Sequence, residues 1–202
     1  HLDEGVGLFD FNFERQWNME TGTEILANRK RPKSEWLKLS NRDFEMLRFI
    51  NEMKFADVQT IHSKFFATTQ TGAASRSNRW ARERLVALEQ HDLLKRQNLF
   101  CESRAWYLLT SKGWYVTRDR FIEEEIPHPC RSIDIRTFHH DRAVLNARLE
   151  FEAKGEMRRW ISERELLSGR ARDIGFQLRH IPDAVIEFTS GRRIAFEVEM
   201  TL

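Results

Sequence analysis

The chain has 202 residues, of which 41% are hydrophobic and 32% charged, with nine Gly and four Pro. That balance supports one large or two small folded domains and excludes collagen-like and low-complexity classes. The net charge of +2 hides an uneven distribution, because positions 29–120 hold 19 Lys and Arg against 10 Asp and Glu while the flanks are acidic. Apolar runs such as Ala105–Leu109 are too short to cross a bilayer. No secretory leader is legible, and the two cysteines, Cys101 and Cys130, form no CxxC pair or disulfide framework. These features predict a cytoplasmic protein with no membrane partner. The start at His1 instead of Met reads as a trimmed chain.

Positions 1–38 read as an acidic aromatic arm followed by a basic linker. Phe9, Phe11 and Phe13 alternate as on a strand, and Pro32 interrupts Arg29–Lys33. This arm is one candidate surface for self-association.

Positions 39–120 carry the strongest pattern. Ser40 followed by Asp43 resembles a capping box, and Phe44, Leu47, Phe49 and Ile50 recur at helical spacing to about Lys54. A second helix is predicted over 56–66, with Val58, Ile61, Phe65 and Phe66 on its apolar side. After a polar stretch containing Gly72, a third helix is predicted to turn Trp80, Ala81, Leu85 and Leu88 inward. Arg76, Asn78, Arg79, Arg82 and Arg84 face mostly outward on it. Leu93–Arg96 and Ala105–Leu109 read as two strands around a polar tip, and Thr110 opens a further helix.

Three helices followed by a hairpin describe a winged helix, a form of helix-turn-helix. The third helix stands where a recognition helix belongs. Its arginines suit guanine or phosphate, and Ser75 lies where a first turn can hold a phosphate. Lys95, Arg96 and Arg104 would let the wing touch the DNA backbone. The competing reading is a solvated surface used for protein contacts; the basic character of the whole segment favours double-stranded DNA.

Positions 121–136 form an acidic, proline-containing connector, the natural boundary before a second domain at 137–202. There a helix is predicted over about 141–153, with His140 and Asp141 as its cap. A strand over 180–188 follows, then a turn at Ser190–Arg193 and a partner strand over 194–199. Pairing would bring Asp183 near Glu197 and Glu199. Such a carboxylate cluster suits Mg²⁺ or Mn²⁺. Spacing alone favours the plainer alternative, the wet side of a hairpin. His128, Cys130, His139, His140 and Asp141 show no repeating zinc-ligand spacing.

Pro182-Asp183, a turn, and Glu197-Val198-Glu199 resemble the PD-(D/E)XK nuclease pattern. The resemblance implies Asp183 and Glu197 as metal ligands and places Glu199 where that pattern carries a catalytic lysine. An acid there argues against efficient cleavage, so no cofactor is assigned beyond Mg²⁺ or Mn²⁺ for an active site. Over Leu39–Leu202 the chain is also similar to bacterial replication-relaxation proteins. The similarity rests on Leu109–Gly113, His140-Asp141, Trp160–Leu167, Pro182–Val185 and Glu197–Thr201. It implies an α+β protein in which a winged helix precedes a small α/β nuclease-like domain, and a core that would continue past the last strand read here. The function it implies is DNA binding of the plasmid replication or mobilisation type, with the second domain as a scaffold or oligomerisation surface. A metal-dependent endonuclease and a transcription regulator or oligomeric adaptor are the alternatives.

Overall fold

The computed structural model describes residues 37–67, 77–124, 126–170 and 180–200. Ser40 and Asp43 form the expected capping box: the Asp43 carboxylate accepts the Ser40 N–H at 2.7 Å, and the Ser40 hydroxyl accepts the Asp43 N–H. Helix α1 (Asn41–Glu52) follows and buries Met46, Leu47, Phe49 and Ile50. Its exit passes through Lys54, which takes a left-handed φ of 70°.

The second predicted helix is shorter than its pattern implied. Ala56–Asp57 forms strand β1, and Asp57 then caps the short helix α2 (Val58–Ile61) by accepting the Thr60 N–H at 2.8 Å. A π turn extends it over His62–Phe66. The difference arises because β1 finds a partner 50 residues away, Tyr107 and Trp106. Local propensity cannot report such a partner.

Helix α3 (Arg79–Gln90) buries Ala81, Leu85 and Leu88. Trp80, expected inside, is 65% exposed. The i, i+4, i+7 stripe defines the buried face, and the residue before Ala81 lies about 100° away from it.

Strands β2 (Leu94–Asn98) and β3 (Ala105–Leu109) form the expected hairpin, paired from Leu94↔Leu109 to Asn98↔Ala105. With β1 they make an antiparallel sheet in the order β1-β3-β2. Thr110 caps helix α4 (Ser111–Arg120) by accepting the Gly113 N–H. A Cβ at Gly113 would sit 2.2 Å from the Leu93 carbonyl oxygen, so only glycine lets α4 lie this close to the hairpin.

Helix α5 (Phe138–Lys154) ends at Gly155, whose φ of 72° gives a left-handed cap. Its N-cap position is Thr137, so His140 and Asp141 lie inside the first turn instead of capping it as expected. Strand β4 (Met157–Ser162) leads through a second capping box, Ser162 with Glu165, into the single-turn helix α6 (Glu163–Glu165). Strands β5 (Ala184–Phe188) and β6 (Arg193–Phe196) complete an antiparallel sheet in the order β4-β5-β6. Both are shorter than predicted. Ala184↔Phe196 is the last pair, so Asp183 and Glu197 lie just past the ladder. The protein is therefore α+β, with six helices and two small antiparallel sheets among the described residues. No helix there is long and apolar enough to cross a membrane.

One apolar cluster runs from Met46 on α1 through Trp106 on β3 to Phe138 on α5 and Phe188 on β5. Phe55, Trp106 and Phe138 meet in its middle at ring separations of 5.1–5.4 Å. A buried ion network lies beside them. Arg148 of α5 donates to Glu52 of α1 at 2.7 Å and to Glu152 at 3.0 Å, and Arg48 donates to the other Glu52 oxygen at 2.7 Å. Burial alone would raise the Glu52 carboxyl, but the two guanidinium groups outweigh it and lower its pKa. Arg148→Met strands one Glu52 oxygen inside the protein. The expected loss is about 3 kcal/mol of stability, measured as a lower urea midpoint with an unchanged m-value.

Candidate nucleic-acid interface

Helix α3 exposes Arg79, Arg82, Glu83 and Val86 on the side away from Ala81 and Leu85. Beside it the hairpin exposes Arg96 and Arg104. Between them lies a cleft of about 460 Å³, lined by Gln59 of α2, Asn78 and Arg82 at the start of α3, and Arg104 and Tyr107 of the hairpin. The hairpin register places Arg96 opposite Tyr107, which lines this cleft. Burial raises the Tyr107 hydroxyl pKa, with the Glu89 charge adding to it, while Arg96 and Arg82 act against the rise. Both arginines therefore lie within electrostatic reach of that phenol.

The expected cations divide into two groups. Arg79 pairs with Glu83 at 2.7 Å on an exposed helix surface, and Arg96 stands 3.9 Å from Glu89. Such exposed pairs are weak and exchange readily for another anion. Arg104 donates to the buried Asp57 carboxylate at 3.0 Å, yet its side chain remains 55% exposed. Arg82 is exposed, and no carboxylate pairs with it among the described residues.

Arg84 and Lys95 are held within the fold. Arg84, expected to face outward, turns back and grips both Asp43 oxygens at 2.7 Å, with a further bond to the Lys38 carbonyl at 2.9 Å. Lys95 donates to the Arg131 carbonyl of the connector. Its neighbour Gln97 accepts the Ile133 N–H at 3.1 Å, so the segment around Arg131–Ile133 lies along this side of the hairpin. Asn78 is half-buried at the start of α3 and does not cap it. Ser75 and Arg76 lie outside the described residues. Gln59 and Tyr107 were missed in the sequence, and only the pairing of β1 and β2 with β3 would have pointed to them.

The carboxylates of the C-terminal half take different partners. Asp183 accepts the Val198 N–H at 2.8 Å and stands 3.1 Å from His140 Nε2. Glu197 faces His180 at 3.3 Å, and Glu199 is exposed. Around Asp183 the structure gathers residues that spacing did not join. Lys54 binds Asp141 at 2.7 Å and Glu163 at 3.1 Å, and His140 lies between Asp141 and Asp183. These five side chains line part of a small cavity of about 20 Å³, room for one water molecule. Burial disfavours the Lys54 ammonium, but Asp141 and Glu163 outweigh it and raise its pKa. The cluster is thus already neutralised in part by its own lysine. Among the described residues no group of three or more His, Cys, Asp or Glu is placed to hold a metal ion.

Compared with known protein families, with curated proteins and with solved structures, the chain matches none.

Arg84 and Asp43 provide a test that separates fold from interface. Burial would raise the Asp43 carboxyl, but hydrogen bonds from Arg84 and Ser40 prevail and hold it below its ordinary 3.8. A depressed folded-state value stabilises the protein above the unfolded pKa, and this contribution disappears as pH falls through the folded one. Arg84→Ala is expected to cost about 2 kcal/mol at neutral pH. It should also flatten the loss of stability below pH 3.8, read from urea melts across the acid range.

Proposed function

We propose that this chain is a duplex-DNA-binding protein in which residues 39–120 act as a winged helix. In this reading α3 enters the major groove, and the β2–β3 hairpin is the wing that meets phosphate. The observation that carries the reading is the exposure of Arg79, Arg82, Arg96 and Arg104 on α3 and the hairpin, with Arg82 and Arg104 lining one cleft between them. The element order supports it: a helix, a short strand, two helices, then a hairpin whose second strand pairs with the first. A guanidinium suits both groups such a surface would meet, the guanine edge and the phosphate oxygen.

The C-terminal half is read as a PD-(D/E)XK-like scaffold instead of an efficient nuclease, in a protein of the plasmid replication or mobilisation type. Asp183 and Glu197 engage different histidines, and Glu199 adds negative charge where a phosphate would need a cation. Mg²⁺ or Mn²⁺ has no role in this reading.

The test is a duplex-binding titration across a salt series. Arg79→Ala with Arg82→Ala should weaken binding and reduce the slope of log K against log salt by about 1–2, since each phosphate contact releases about one counterion. Arg84→Ala should leave that slope unchanged, because its guanidinium is committed to Asp43. An unaltered slope in the double variant overturns the assignment.

A further inference from the structure

A pocket of about 770 Å³ lies between α4, the connector and the turn after α6. Ile122, Ile126, Pro127 and Leu167 give it an aliphatic patch, with Trp114 beside them and charged or polar side chains on the rest of its wall. Ile122 and Leu167 are 84% and 61% exposed, a costly arrangement for large apolar side chains on neighbouring elements. The volume lies in the range of small-molecule sites.

The pocket's two arginines, Arg118 and Arg164, match its two acids, Asp119 and Glu124, in number, but the pairing among them is uneven. Asp119 is paired with Arg118 at 2.9 Å, and Glu124 with Arg48 at 3.1 Å. Arg164 has no such partner. Its Nη1 donates to the main-chain and side-chain oxygens of Asn51, and its Nη2 to the His128 carbonyl. All three acceptors are neutral, and no carboxylate lies within ion-pair distance among the described residues. The fields of Cys130, Glu163 and Asp141 reach Arg164, and the two carboxylates among them are held by Lys54. Burial lowers the Arg164 pKa, yet a guanidinium stays charged at neutral pH. The bonds it makes leave Nε–H and one Nη2–H, the kind of fork that grips a carboxylate through two parallel hydrogen bonds.

We propose that this pocket binds an aliphatic monocarboxylate, its carboxylate on Arg164 and its chain against Ile122, Ile126 and Leu167. A guanidinium with no carboxylate partner calls for a monoanion, and the aliphatic patch of Ile122, Ile126, Pro127 and Leu167 gives an alkyl chain its contact. This site is independent of the DNA-binding surface, so neither proposal falls with the other.

The experiment is calorimetric titration of the full chain, without DNA, using octanoate, octanol and acetate as probes. Octanoate is expected to bind one to one. Octanol, which lacks the charge, and acetate, which lacks the chain, should each bind about tenfold or more weakly. Arg164→Lys keeps the charge but removes the fork, and should cost about tenfold in octanoate affinity. Because Arg164 also ties Asn51 to His128, a second variant uses an exposed position that folding does not need. Leu167→Glu should abolish octanoate binding with an unchanged circular dichroism spectrum. No octanoate binding, equal binding of octanol, or full binding by Leu167→Glu overturns the proposal.

Discussion

The pairing of Arg148 with Glu52 is the contact on which the arrangement of the two halves depends. It joins helices whose interacting residues are 96 positions apart, and both side chains are almost wholly withdrawn from water. A buried ion pair contributes little net stability, because desolvation offsets most of the attraction. Its force lies in the penalty for misplacement. Each Glu52 oxygen receives a guanidinium hydrogen bond, and Arg148 also meets Glu152 and the Phe49 ring. Any other packing of α5 on α1 would bury those charges unpaired. The neighbouring Phe55, Trp106 and Phe138 supply the apolar burial, while the ion network selects which packing that burial adopts.

The same physics sorts the many arginines. Asp43 and Glu52 are acids that α1 carries into the interior, and each requires a cation from elsewhere. Arg84 and Arg148 answer that requirement and are thereby removed from any binding surface. Arg79, Arg82, Arg96 and Arg104 sit where α3 and the hairpin turn toward water, and they keep their guanidinium groups largely exposed. A basic segment thus divides into structural and available cations. The division follows the location of buried acids, which no count of charges records.

The region around Asp183 shows how a short motif acquires a different setting. β5 begins at Ala184 and β6 ends at Phe196, so the acids beyond the ladder do not stack face to face. The Asp183 carboxylate instead fastens Val198 to the start of β5 and meets His140 from α5. Segments centred on residues 54, 140, 163 and 183 converge there, and Lys54 supplies the neutralising charge from the far end of α1. The Pro182-Asp183 and Glu197-Val198-Glu199 motifs suggested a carboxylate cluster on a strand pair. The actual neighbours come from four elements.

Local chemistry was enough to read the capping box at Ser40, the helix start at Thr110, the amphipathic stripe of α3 and the β2–β3 hairpin. Each depends on contacts within a few residues, which a sequence displays directly. Trp80 facing outward, the short β1, the truncated ends of β5 and β6, and the retreat of Arg84 and Lys95 into the fold were decided elsewhere. The short β1 and the retreat of the two cations depend on partners 36 to 51 residues away: Tyr107 for Ala56, Arg131 for Lys95 and Asp43 for Arg84. The sequence by itself determined the helices α1, α3 and α4, the β2–β3 hairpin and the basic character of positions 29–120. Only the tertiary structure decided which cations remain on the surface, because that depends on where buried carboxylates demand a counter-charge.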